Sequence, residues 1–140
     1  MSPKKTPKKV LVAMRPQDLP LLSDALGDEF NTVICHTFEE AVAQLDNNVG
    51  LIACGVHFAG GRMFDFLHHV NASPQTKTIP FFVILGSRRS YSPAIVHSIE
   101  IATKTVGATG FVDMGAIKDS MGIEMAHQWF RATIRTALAA

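Results

Sequence analysis

Five short apolar runs punctuate this chain, within "VLVAM" from Val10, "NTVICH" from Asn31, "GLIAC" from Gly50, "FFVIL" from Phe81 and "TGFVDM" from Thr109. Each is followed by a longer stretch of helical period. A strand with one wet face alternates apolar and polar residues, and these runs do not alternate, so both of their faces must be covered. Strands alternating with helices, each strand buried on both sides, predict a parallel sheet between two helical layers. Right-handed crossovers then give a three-layer, doubly wound (βα)5 sandwich of the α/β class.

The helix boundaries carry their own signals. Asp18 is expected to cap a first helix over Asp18–Leu26, with Pro20 in its first turn where a missing N–H is harmless. Thr37 opens "TFEEAVAQLDN", with Glu39 and Glu40 near the positive end of the helix dipole. "RMFDFLHHVNA" supplies a third helix. Ser92 and Pro93 begin a fourth, and Gly107 stands just past its end. A single long helix is expected from about Ile117 to the end of the chain.

At 140 residues and 47% hydrophobic, the chain suffices for one sizeable core and not for two ordinary domains. Residues 1–8, which hold most of the lysine cluster "KKTPKK" (Lys4 to Lys9), are expected to form a flexible basic tail, and residues 9–140 the folded domain. The net charge of +1 gives no electrostatic reason to expect a nucleic acid or an anionic membrane as partner. No apolar stretch approaches the roughly 18 residues of a membrane span, and the basic start is not followed by the apolar core of a signal peptide. The two cysteines, Cys35 and Cys54, sit inside apolar runs and are expected as buried thiols. A cytoplasmic location is expected.

In such a sheet, function belongs to the carboxyl ends of the strands, near the point where strand order reverses. Those ends hold Met14 and Arg15, Gly55–Gly61, Gly86–Arg89 and Met114. Here the segment "LIACGVHFAGGRMFDFLHHV" resembles the third strand, loop and third helix of the receiver domains of bacterial two-component response regulators, the group that includes the chemotaxis response regulator. "KKVLVAM" resembles their first strand, "TIPFFVILGS" the fourth with its preceding Ile-Pro, and "VGATGFVDM" the Gly-Ala-x-x-Tyr/Phe motif of the fifth. The resemblance covers about residues 8–139. It implies a flavodoxin-like fold with a five-stranded parallel sheet of order 2-1-3-4-5.

The residues that do the family's chemistry do not carry over. Receiver domains hold Mg²⁺ on two acids after the first strand, phosphorylate an aspartate after the third, and read the phosphoryl group with a hydroxyl after the fourth and a lysine after the fifth. Clustered oxygens suit the hard cation, and metal and lysine neutralise the charge gathering on phosphorus. The matching positions here are Met14 and Arg15 for the acids, Gly55 for the acceptor, Ser87 (or Gly86 with a one-residue shift) for the hydroxyl, and Met114 for the lysine. Only the hydroxyl survives. Rescue by a neighbouring acid is not expected, because Asp18 is assigned to a cap, Asp65 to an exposed helix position and Asp113 to the opposite face. No Mg²⁺ or other cofactor is therefore expected.

Arg15, His57, Arg62, Arg88 and Arg89 lie near the same rim, which is expected to be neutral to positive. Two readings stay open: anion binding by these side chains with Ser87 and the backbone of Gly60 and Gly61, or arginines that simply point into water. Histidines offer no metal spacing; His68 and His69 are adjacent on a helix and point about 100° apart, and His36, His57, His97 and His127 fall on separate elements. Neither a P-loop, a Gly-x-Gly-x-x-Gly fingerprint nor a nucleophile elbow is present, so no enzyme is expected.

On the final helix, Ile123, Ala126, Phe130, Ile134 and Ala137 share a face suited to the sheet, while Met121, Met125, Trp129 and Ala132 form a second. That second face meets either a partner or another part of the chain. In the family, the surface of the fourth helix, fifth strand and fifth helix serves dimers and output partners, and Phe111, in the position of the family's switch aromatic, is expected to border it. The chain thus reads as a receiver-like signalling module acting through a protein partner or a homodimer, with an anion or small-molecule sensor as the alternative.

Overall fold

The apolar runs pair into one parallel sheet. A computed structural model describes residues 8–86 and 91–139. Its strands are β1 (Lys9–Ala13), β2 (Thr32–Cys35), β3 (Val49–Gly55), β4 (Phe81–Leu85) and β5 (Gly110–Asp113), and the order across the sheet is β2-β1-β3-β4-β5. Every described pairing is parallel. This is the doubly wound, flavodoxin-like arrangement, with its reversal of strand order between β1 and β3.

The helices are α1 (Leu19–Leu26), α2 (Phe38–Gln44), α3 (Met63–Asn71), α4 (Pro93–Val106), α5 (Met114–Met121) and α6 (Ile123–Ala139), with short 3₁₀ turns at Pro16–Asp18 and Phe58–Gly60. Two apolar layers result. Val10, Val12, Leu51, Ala53, Ile84 and Val112 pack against α1, α5 and α6, while Leu11, Ala13, Ile52, Cys54, Phe81 and Val83 pack against α2 and α3, with Val106 of α4 alongside. Successive β1 residues thus go to opposite layers, and Val10 to Ala13 are at most 1% exposed. Their lack of alternation has this cause.

Local signals explain most helix ends. Thr37 caps α2 through a reciprocal pair, in which the Glu40 N–H donates to Thr37 Oγ1 at 3.1 Å and the Thr37 N–H donates to Glu40 Oε1 at 3.0 Å. The Ser92 hydroxyl accepts the Ile95 N–H at 3.3 Å, and α4 stops at Gly107, whose φ of 118° leaves the helical region.

Three expectations need correction. The single terminal helix is two helices, because Gly122 adopts φ 83° and turns the chain between α5 and α6; Met114 consequently begins a helix and does not end a strand. Asp18 precedes α1, yet its carboxylate makes no capping hydrogen bond. Ile123, assigned to the sheet-facing side of the last helix, is 57% exposed, whereas Ala126, Phe130 and Ile134 of that face are fully buried.

Candidate functional site

The carboxyl ends of β1, β3 and β4 converge where the strand order reverses, and Met14, Gly55 and Gly86 stand there. Met14 is 3% exposed and Met114 is fully buried, both within the layer beneath α1 and α6. Their thioethers extend the hydrophobic core into the end of the sheet. Gly55 faces the same layer: a Cβ there would lie 3.2 Å from Met14 Cε and 3.4 Å from Met14 Cγ. Methionine therefore fills much of the room that a side chain on Gly55 would need.

Among the described residues, the arginines near this end are paired with carboxylates. Arg15 Nε donates to Asp18 Oδ2 at 2.5 Å and Arg15 Nη2 to Oδ1 at 3.2 Å, a two-point contact that raises the Arg15 pKa. The pairing takes Asp18 away from the helix end it was expected to cap. Arg62 is turned away from the β1 and β3 ends: it lies 4.0 Å over the Phe38 ring, with Nε 3.3 Å from Asp65 and Nη1 3.8 Å from Glu39. Asp113 Oδ1 accepts the Ala116 N–H at 3.0 Å, at the start of α5. Ser87, Arg88 and Arg89 lie outside the described residues.

His57 follows β3 and stacks on Tyr91, with ring centroids 5.6 Å apart and planes 11° from parallel. The Tyr91 hydroxyl is 3.2 Å from His57 Nε2. His36, at the end of β2, holds Nδ1 2.8 Å from the Met14 carbonyl oxygen, so that ring nitrogen donates. Gly60 and Gly61 line a wider depression with Arg15, Gln17, His36 and His57. His36, Gln17 and Tyr91 were missed as site residues; position alone marks them, since His36 follows β2, Gln17 the Arg15 turn, and Tyr91 precedes the cap of α4.

A cavity of about 160 Å³ opens between these strand ends. Met14, Leu21, Gly55 and Ile84 form its apolar wall, and Arg15, Asp18 and His57 stand among its polar groups. Receiver chemistry needs a divalent cation here, and the donor set does not fit one. Met14, Gly55 and Met114 offer no side-chain oxygen, and the Asp18 carboxylate is engaged by Arg15. Among the described residues, no three His, Cys, Asp or Glu side chains come together as a metal site. Cys35 and Cys54 are buried thiols whose pKa values are raised by desolvation, that of Cys54 strongly.

The second candidate surface lies on the last helices. Met121 is 39% exposed, Met125 55% and Trp129 38%. Trp129 borders a shallow apolar groove with Phe82, Ala132 and Ala137. Among the described residues α1 does not cover Met125 or Trp129; it meets α6 on another flank, where Arg131 Nη1 donates to the Ala25 carbonyl at 3.0 Å. Phe111 lies on the other side of β5, half-buried against the layer beneath α2 and α3. The structure thus separates it from the Met and Trp face by the thickness of the sheet.

No family model matches the chain, and no curated protein does. Solved structures do. A protein described as a response regulator from Chloroflexus aurantiacus superposes with TM-score 0.70 at 19% identity, over 96% of this chain and 100% of that one. The phosphorylated cyanobacterial phytochrome response regulator RcpA gives 0.67 at 15% identity over 91% of each chain. A signal receiver domain of a two-component histidine kinase from Clostridium thermocellum gives 0.62 at 13%, over 96% of this chain and 100% of that one. At such identities the likeness concerns the backbone, and together with the strand order it establishes that this chain has the receiver-domain fold.

Proposed function

We propose that the chain is a receiver-like signalling module that acts through protein contacts and does not depend on phosphorylation of an acceptor aspartate. The observation that carries this reading is the apolar filling of the strand ends: Met14 and Met114 are buried where oxygen and ammonium groups serve the phosphoryl chemistry of receivers, and Gly55 offers no nucleophile. Support for a contact surface comes from the distribution of exposed apolar side chains. Among the described residues, Ile95, Ile101, Met121, Ile123, Met125 and Trp129, six of the seven large exposed ones, belong to α4, α5 and α6. Methionine and tryptophan suit the core of an interface. The partner is a signalling protein or a second copy, and a cytoplasmic, bacterial setting accords with the resemblance. Neither nucleic acid nor membrane enters the reading; among the described residues no helix is long and apolar enough to cross a membrane. The alternative, an anion sensor, would have to draw on Arg15 and Arg62, which are both paired with carboxylates, or on Ser87, Arg88 and Arg89, which lie outside the described residues.

Incubation with acetyl phosphate and Mg²⁺ tests the first half of the proposal. No phosphoryl uptake is expected, and labelling would overturn it. For the second half, Met125→Asp and Trp129→Asp place a charge on an exposed face with little expected loss of fold. Both should reduce self-association by light scattering, or release a partner retained by the wild type in pull-downs. Unchanged association in both assays would remove the interface.

A further inference from the structure

The cavity at the strand ends has an apolar wall and a polar side. Its volume, about 160 Å³, is close to the roughly 150 Å³ of an apolar cavity that accepts benzene. Met14, Leu21, Gly55 and Ile84 supply its apolar wall. Methionine suits such a lining, since its flexible thioether adjusts to ring edges and makes favourable sulfur–aromatic contacts. Among the described residues the polar side carries no net charge, because Arg15 and Asp18 neutralise each other across a two-point contact. An anion placed there would meet Asp18 and a cation would meet Arg15, so a charged ligand gains little. His57, held against Tyr91, and Gln17 remain to orient one hydrogen-bonding group.

We infer that this cavity binds a compact, uncharged molecule of about the size of one aromatic ring, its apolar body against Met14, Leu21 and Ile84 and a single hydroxyl or carbonyl toward Gln17 and His57. This goes beyond the contact role proposed above and is independent of it, since the cavity walls and the face carrying Met125 and Trp129 share no residue.

Methyl-labelled methionine allows a direct test by NMR on the whole chain, with phenol, benzyl alcohol and inorganic phosphate as probes. A ring entering the cavity shifts the Met14 methyl signal saturably, with Kd on the order of 1 mM for a ligand of this size, while Met121 and Met125 stay in place. Met14→Leu assigns the signal. Gly86→Val obstructs the cavity: a Cβ at this position makes only ordinary contact, 3.8 Å from Leu21 Cδ2, and the longer branches reach into the space, so affinity should fall at least about tenfold. A size series on the wild type needs no variant, and 2-naphthol should bind more weakly than phenol. Three results would overturn the inference: no saturable shift at Met14, an equal response to 2-naphthol, or tighter binding of phosphate than of phenol. Phenol binding undiminished in a folded Gly86→Val variant would do the same.

Discussion

Gly55→Asp places a carboxyl group at the acceptor position and should weaken the protein without restoring its chemistry. Gly55 is buried, and the new Cβ would stand 3.2 Å from Met14 Cε, so the methionine must move a few tenths of an ångström and the carboxylate must share the space with thioether and aliphatic groups. The nearby guanidinium of Arg15 is held by Asp18. Burying a poorly partnered polar group costs about 1–3 kcal/mol by mutational measure, which for a chain of this length lowers Tm by roughly 3–10 °C. Desolvation also fixes the sign of the pH dependence. The new carboxyl should have a folded pKa above its unfolded value of about 3.9, so the folded state binds the extra proton and the penalty grows as pH rises from the unfolded to the folded pKa. Urea denaturation of wild type and variant should therefore give similar midpoints near pH 4 and diverge toward neutrality. The reasoning fails if the variant matches the wild type at neutral pH, if Mg²⁺ stabilises it against EDTA, or if acetyl phosphate labels it.

His127 offers a second pH test. Its Nε2 is buried with no hydrogen-bond partner among the described residues. Burial lowers its pKa, with Lys118 and Arg131 adding to the effect and Asp24 opposing it. Because the unfolded chain takes up this proton first, stability should decline as pH falls below about 6.5; His127→Gln should make the decline shallower in urea midpoints, and an unchanged slope would refute this cause. Gly107→Ala should cost about 1–3 kcal/mol, since φ is 118° and the new Cβ would lie 2.4 Å from Asn71 Nδ2, the group that donates to the Val106 carbonyl. Calorimetry reads that loss directly, and a Tm equal to wild type would show that neither strain nor crowding matters there.

Residue patterns alone determined the frame of this molecule. "FFVIL" appears as β4 over the same residues, Phe81–Leu85, and Ser92, Pro93 and Gly107 bound α4 as their local chemistry requires. Burial on both faces and backbone capping leave marks within a few consecutive residues, so they are legible along the chain. The places of Met14 and Gly55 were legible as well, because they follow from where strands end, whereas Met114 begins α5. Tertiary structure decided the rest. Helical period continues through Gly122, and only a φ of 83° at that one residue separates α5 from α6. Arg15 turned to Asp18 and Arg62 to Glu39, Asp65 and Phe38, so these two arginines stand paired with carboxylates. Side-chain direction among loops depends on neighbours distant in the chain, and no local pattern records it. The same holds for the cavity beside Gly55, which exists only because Met14, Leu21 and Ile84 arrive from three separate elements and stop short of filling the space between them.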